Sequence, residues 1–237
     1  MTPYTPAQRI AAEFLGTALL LATVIGSGIM GAKLSGGNDA VALLGNSLAT
    51  GAILAVIITV FGPISGAHFN PAVSGVFWLR GEISSRLAIA YVVAQLLGGF
   101  VGVLLAHAMF DMPLMQTASK VRTGPGQWFA EGVATFGLIL TILGTLIARP
   151  AAVAVNVGLY IIAAYWFTAS TSFANPAVTV ARAFSDTFAG IRPDDVAAFI
   201  AAQLAGAVLA MGVAGWLFRA GAAKTDSTSR MEARARR

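Results

Sequence analysis

Residues 172–182 read SFANPAVTVAR, and residues 67–74 read AHFNPAVS. Each places Asn-Pro-Ala inside a run of small and apolar residues. Asn is a good N-cap, because its side-chain oxygen accepts from the free N–H groups of a first helical turn. Pro suits the first helical position, where a missing N–H costs nothing. Each tripeptide is therefore a helix start. The apolar runs behind them, about 70–79 and 175–184, are short. A bilayer crossing takes about 20 residues, so both are expected to be re-entrant half-helices.

The rest of the chain supplies the full crossings. Its 237 residues are 57% hydrophobic and 11% charged, with mean hydropathy +0.78. That is too apolar for an ordinary water-soluble domain. Six long apolar stretches stand out, at roughly 10–32, 40–62, 86–109, 128–148, 151–171 and 196–218. The expected fold is an all-α membrane protein of six spanning helices and two half-helices. No linker divides the chain, so 1–237 is read as one transmembrane domain. There are no cysteines, which removes disulfides and thiol chemistry. No metal site and no cofactor are implied. The net charge of +5 lies largely in the tail RMEARARR and is no nucleic-acid signal. The N-terminal MTPYTPAQR has no cleavage-site pattern, so a removed signal peptide is not expected.

The chain also repeats itself. AEFLGT at 12 matches AEGVAT at 130, an offset of 118 (130 − 12). NPAVS at 70 matches NPAVT at 175, an offset of 105 (175 − 70), and AQLLGG at 94 matches AQLAGA at 202, an offset of 108 (202 − 94). Three matches in one order mark a duplicated unit. The units are about 8–109 and 127–218, followed by a basic tail, 219–237. Each unit holds three crossings, so the second is inverted, and inverted repeats place a site near the bilayer midplane. Non-helical backbone survives at that depth only inside protein or against a water-filled cavity. Each half-helix would aim its positive dipole end at the centre, where it opposes cations. The Asn70 and Asn175 amides would offer donors to a passing oxygen.

These features resemble the aquaporin, or major intrinsic protein, superfamily. The resemblance rests on Asn70-Pro71-Ala72, Asn175-Pro176-Ala177, Glu13, Glu131, Gln95 and Gln203, and covers about residues 8–218. It implies a passive channel, and half-helix dipoles facing the lumen are a general feature of such pores. It also implies that Glu13 and Glu131 are scaffold groups accepting hydrogen bonds from the re-entrant loops. Gln95 and Gln203 read as interhelical fasteners, and Gly98 and Gly102 as a close-packing pair. His68, two residues before Asn70, is a pore-lining candidate, because an intramembrane His often marks a pathway. His107 is read as interfacial.

The departure from the family pattern follows Ala177. Typical members carry Arg there, in the outer constriction; here the residue is Val178. Gap-free alignment places the other ring positions at Thr50, Ala163 and Ser172. That ring is small, uncharged and mildly polar, so a wide filter without Arg is expected. Glycerol channels usually follow Asn-Pro-Ala with Arg-Asp, and neither residue follows Ala177. VTVARAFSDTFAGI resembles a bacterial branch associated with arsenic detoxification, which implies passage of arsenite as its neutral trihydroxide. The alternative is a general channel for water, glycerol and urea. Arg182, one turn beyond Val178, has three readings. The first hangs it in the outer vestibule, about 6 Å farther out at 1.5 Å rise per residue. The second makes it the displaced filter Arg. The third is an interfacial Arg paired with Asp186, and this last reading is preferred because such residues snorkel.

Rival classes are weaker. A secondary transporter shares inverted repeats and broken helices, but only Glu13 and Glu131 offer a coupling site, and both fall in the repeat scaffold. No Ser/His/Asp or metal cluster suggests an enzyme. A non-conducting adhesive relative would not keep a small-residue ring. Counting Lys and Arg with both termini inside gives ten inner residues, six of them in the tail, against Lys33, Lys120, Arg122, Arg182 and Arg192 outside. The Lys/Arg bias places both termini in the cytoplasm. The resemblance implies a homotetramer in a bacterial inner membrane, with the bilayer and small neutral solutes as partners and no nucleic acid.

Overall fold

The computed structural model describes residues 3–219, so the basic tail lies outside the described residues apart from residue 219. The helices are α1 (Pro6–Leu34), α2 (Asp39–Ser65), α3 (Pro71–Leu79), α4 (Ser85–Met109), α5 (Pro125–Ala148), α6 (Val153–Phe167), α7 (Pro176–Arg182) and α8 (Pro193–Leu217). A short 3-10 turn, Pro150–Ala152, leads into α6. Six helices are long and apolar enough to cross a membrane, with the turn and α6 counted together. α3 and α7 are the short ones, nine and seven residues.

Local chemistry sets the boundaries. Thr5 and Gln8 form a capping box that starts α1 ahead of its apolar run. Asn38 caps α2 through its side-chain oxygen. α6 stops at Phe167, short of the expected 171, because Thr168 turns into extended backbone.

The packing repeats itself across the two halves. α1 packs on α4 and α2, as α5 packs on α8 and α6. Missing side chains allow the closest approaches. A Cβ at Gly98 would collide with the Phe14 carbonyl oxygen, and one at Gly102 with that of Ala18. In the second half, a Cβ at Gly206 would collide with the Gly132 carbonyl oxygen. Gly98 and Gly206 differ by 108 (206 − 98), and Phe14 and Gly132 by 118 (132 − 14), the same offsets as the sequence repeats. The halves meet where α2 crosses α6, with Gly51 and Gly158 each against the other's carbonyl oxygen. Small residues that let backbones touch are the usual basis of helix packing in lipid. The outer faces carry exposed Phe129, Ile89, Leu209 and Trp216, apolar groups whose natural solvent is hydrocarbon.

Candidate solute pathway

Between α2 and α4, and again between α6 and α8, the chain turns into the protein before its half-helix begins. Ala67 and Phe69 have positive φ (52° and 49°), and so do Ser172 and Ala174 (48° and 47°). Non-Gly residues hold this backbone at a cost, so something must fix it. The buried carboxylates do. Glu13, 0% exposed, accepts from His68 N (2.9 Å), Phe69 N (2.7 Å), Ser65 Oγ (2.6 Å) and Gln95 Nε2 (2.8 Å). Glu131, also 0% exposed, accepts from Phe173 N (2.8 Å), Ala174 N (2.9 Å) and Gln203 Nε2 (2.6 Å). Each Gln also donates to its half-helix, Gln95 to Ser74 Oγ at 2.9 Å and Gln203 to Thr179 Oγ1 at 2.8 Å.

The two helix starts are tied together. Asn70 caps α3 through Ala72 N, and Asn175 caps α7 through Ala177 N and Val178 N. Asn70 Nδ2 donates to the Ala174 carbonyl at 2.7 Å, and Asn175 Nδ2 donates to the Phe69 carbonyl at 2.8 Å. A side-chain amide has two N–H groups, so each retains one donor beyond this tie. Both asparagines line a cavity of about 510 Å³. Its wall continues past His68 and Thr59 in one direction, and past Thr50, Tyr165, Ser172, Val178 and Arg182 in the other. His68 is buried, with Nδ1 3.0 Å from Ser74 Oγ.

The ring expected from sequence is redrawn at two places. Ala163 is exposed on the outside of α6 and does not line the cavity. Residues 154, 157, 161 and 165 form the inward stripe, and 163 lies about half a turn away from 161 and 165 at 3.6 residues per turn. A gap-free count across the loop therefore landed on the wrong face. Tyr165 stands on the wall instead, with its hydroxyl 3.2 Å from Thr50 Oγ1. Val178 leaves its own position uncharged, but the cavity is not free of Arg. Arg182 lines it, 1% exposed, with its guanidinium carbon 3.4 Å from the Phe173 ring centroid. Its Nε donates to the Ala189 carbonyl. The interfacial pairing with Asp186 is overturned: Asp186 accepts from Ser119 N and Oγ at 2.9 and 2.8 Å. A seven-residue helix that starts deep in the protein keeps its last residue buried too.

His107 is corrected as well. It is fully buried, with its ring nitrogens 2.9 Å from the Leu114 carbonyl and from Ser185 Oγ. It fastens the loop after α4 to the loop after α7. Arg122, also buried, holds the same region together through Nε to the Gly190 carbonyl (2.8 Å) and Nη1 to the Ser170 carbonyl (3.2 Å), with its guanidinium carbon 5.0 Å from the Phe173 ring centroid. Burial pushes Arg122 down to about 10. Sequence reading missed Tyr165, Phe173 and Arg122, because none of them belongs to a repeated motif.

Comparison with known proteins decides the family. Residues 2–153 match the family described as Major intrinsic protein. The chain belongs to the major intrinsic protein family. It is 55% identical over 92% of its length, and 94% of the relative's, to the aquaglyceroporin AqpS of Rhizobium meliloti. It is 30% identical over 86% of its length, and 78% of the relative's, to the lens fiber major intrinsic protein of Gallus gallus. The solved aquaglyceroporin of Plasmodium falciparum shares the fold at TM-score 0.70, with 20% identity over 88% of this chain and 95% of that one. As a major intrinsic protein the chain is a passive channel for small neutral solutes and not an enzyme, which sets aside the ion-coupled transporter. The family match ends before the second Asn-Pro-Ala.

Proposed function

We propose that this channel passes water and small neutral polyhydroxy solutes, glycerol and the neutral trihydroxide of arsenite among them. The observation that carries the reading is the cavity wall. One cavity joins both Asn-Pro-Ala starts, and its polar groups are hydroxyls, amides, an imidazole and one guanidinium, with no carboxylate among its described lining residues. Hydroxyls and amides can exchange hydrogen bonds with a solute that carries several OH groups. The half-helix ends and Arg182 oppose cations. In this reading Asn70 and Asn175 form the central waist. Thr50, Tyr165, Ser172, Val178 and Arg182 form the outer ring. Glu13, Glu131, Gln95 and Gln203 hold the loops, and His68 lines the inner half. The likeness to an aquaglyceroporin supports solutes larger than water.

The same proposal places the chain as a homotetramer in a bacterial inner membrane, with both termini cytoplasmic and two inverted repeats around the lumen. Stopped-flow light scattering of proteoliposomes tests the solute class. Water, glycerol, urea and arsenite are compared in one preparation without any ion gradient. Glycerol and arsenite should reswell the vesicles faster than protein-free controls. Water flux alone would reduce the protein to a strict water channel.

A further inference from the structure

Arg182 is the one charged side chain among the described residues lining the cavity. No carboxylate among the described residues lies within 4.0 Å of its guanidinium nitrogens or those of Arg122. The nearby acids are already engaged. Asp195 accepts from Arg122 N and from Arg192, and Asp186 is held by Ser119. Glu131 already accepts from Phe173 N, Ala174 N and Gln203 Nε2. Two donors at the ring remain unused: Arg182 Nη1 and Ser172 Oγ are buried and have no hydrogen-bond partner. A buried polar group without a partner is costly, and both belong to lining residues of one cavity. The field around them is positive. Lys120, at the outer mouth, is pushed down to about 8, first by burial and then by the charges of Arg122 and Arg182.

We propose that the outer ring is a binding site for a small monovalent oxyanion, a carboxylate or sulfonate, held by Arg182 and Ser172, and that its occupancy blocks neutral solute. This rests on the outer ring being part of the conducting path. A guanidinium presents a planar fork of N–H donors that matches two oxygens of one anion. The Ser172 hydroxyl adds a third donor. One uncompensated positive charge favours a single negative charge, because a dianion would leave net charge stranded in a poorly hydrated lumen. Ser172 and Arg182 line the same cavity that solute would cross, so an anion held by both stands in the path, and it and a passing solute exclude each other.

Methanesulfonate is the probe, because as a strong acid it has no neutral form that leaks through lipid. Proteoliposomes are equilibrated with it on both sides, and water flux is then measured by stopped flow. Flux should fall saturably to half or less. Equal chloride should have no effect, and neither should dimethyl sulfone, the neutral analogue of the same shape. Arg182→Lys, which keeps the charge but loses the fork, should raise the concentration for half-block about tenfold. Ser172→Ala removes a hydroxyl with no internal partner, so the fold is kept, and it should also weaken the block. Wild-type vesicles that conduct water but ignore methanesulfonate overturn the anion site. Equal block by dimethyl sulfone, or unchanged block in both variants, overturns it as well. Vesicles that carry no water flux at all would instead speak against the pathway itself.

Discussion

Glu131 shows how a single residue can decide whether a channel exists. Its two oxygens accept three hydrogen bonds, two from the re-entrant backbone at Phe173 and Ala174, the latter at positive φ, and one from Gln203. Glu131→Gln swaps one acceptor oxygen for an NH2 that faces N–H donors. The cost is expected to be on the order of 2–4 kcal/mol, from lost charge-assisted bonds and an unsatisfied buried donor. Thermal unfolding in detergent should show a clearly lowered midpoint, and water flux per folded channel should fall as the loop loosens. An unchanged midpoint would mean that the loop holds its own shape. At this scale Glu131 was readable, because a lone acid in an apolar span repeated at Glu13 asks for a partner. Arg182 was misread because its partner is a ring face and a distant carbonyl, Phe173 and Ala189, neither of which has a charge signature. Ala163 failed for a geometric reason: counting residues back from a motif across a loop does not fix the helical phase.

Helix pairs were legible where a glycine recurs at the repeat offset. Gly98 and Gly206 each sit where α4 or α8 presses on a neighbouring backbone; Gly98 was read with Gly102 as a close-packing pair, and the match of AQLLGG with AQLAGA aligns Gly98 with Gly206. A glycine alone does not mean contact. A Cβ at Gly212, on the same helix as Gly206, would meet nothing within 4 Å. That gives a paired test. Gly206→Ala puts a methyl against the Gly132 carbonyl oxygen, so α5 and α8 must part. A loss of about 1–3 kcal/mol is expected for such overpacking. Gly212→Ala should be neutral or slightly stabilising, since Ala is the better helix former. Comparing the unfolding midpoints of the two variants checks this. Equal midpoints would show that the α5–α8 contact gives way without cost. Helix ends were less legible. The early start of α1 depends on a Thr5–Gln8 box ahead of the apolar run, and the early stop of α6 on a single extended residue, Thr168.

Over the whole molecule, the two halves use one set of parts twice: carboxylate, glutamine, asparagine cap and glycine contact, at offsets near 105 to 118. The inversion follows from three crossings per half, so the pathway has two similar entrances. One entrance carries a cluster of three neighbouring cations, Lys120, Arg122 and Arg182. Orientation therefore decides which solution meets the positive mouth. With both termini proposed to be cytoplasmic, Lys33 and Lys120 face outward and Lys224, beyond the described residues, faces inward. Lys120 provides the measurement, because its amine is pushed down to about 8 while its ordinary value is 10.5. Only the neutral amine attacks an acylating reagent, so its labelling rate should climb with pH and level off just above 8. The same shift has a stability sign. Between about 8 and 10.5 the unfolded chain binds this proton and the folded chain does not, so stability gained from this group rises with pH across that window. A membrane-impermeant succinimidyl ester added to sealed right-side-out vesicles, followed by peptide mass analysis, reads sidedness and titration together. Labelling of Lys33 and Lys120, with Lys224 protected until the vesicles are opened, places the cationic mouth outside. The reverse pattern would turn the channel over in the membrane and put its anion-attracting entrance in the cytoplasm.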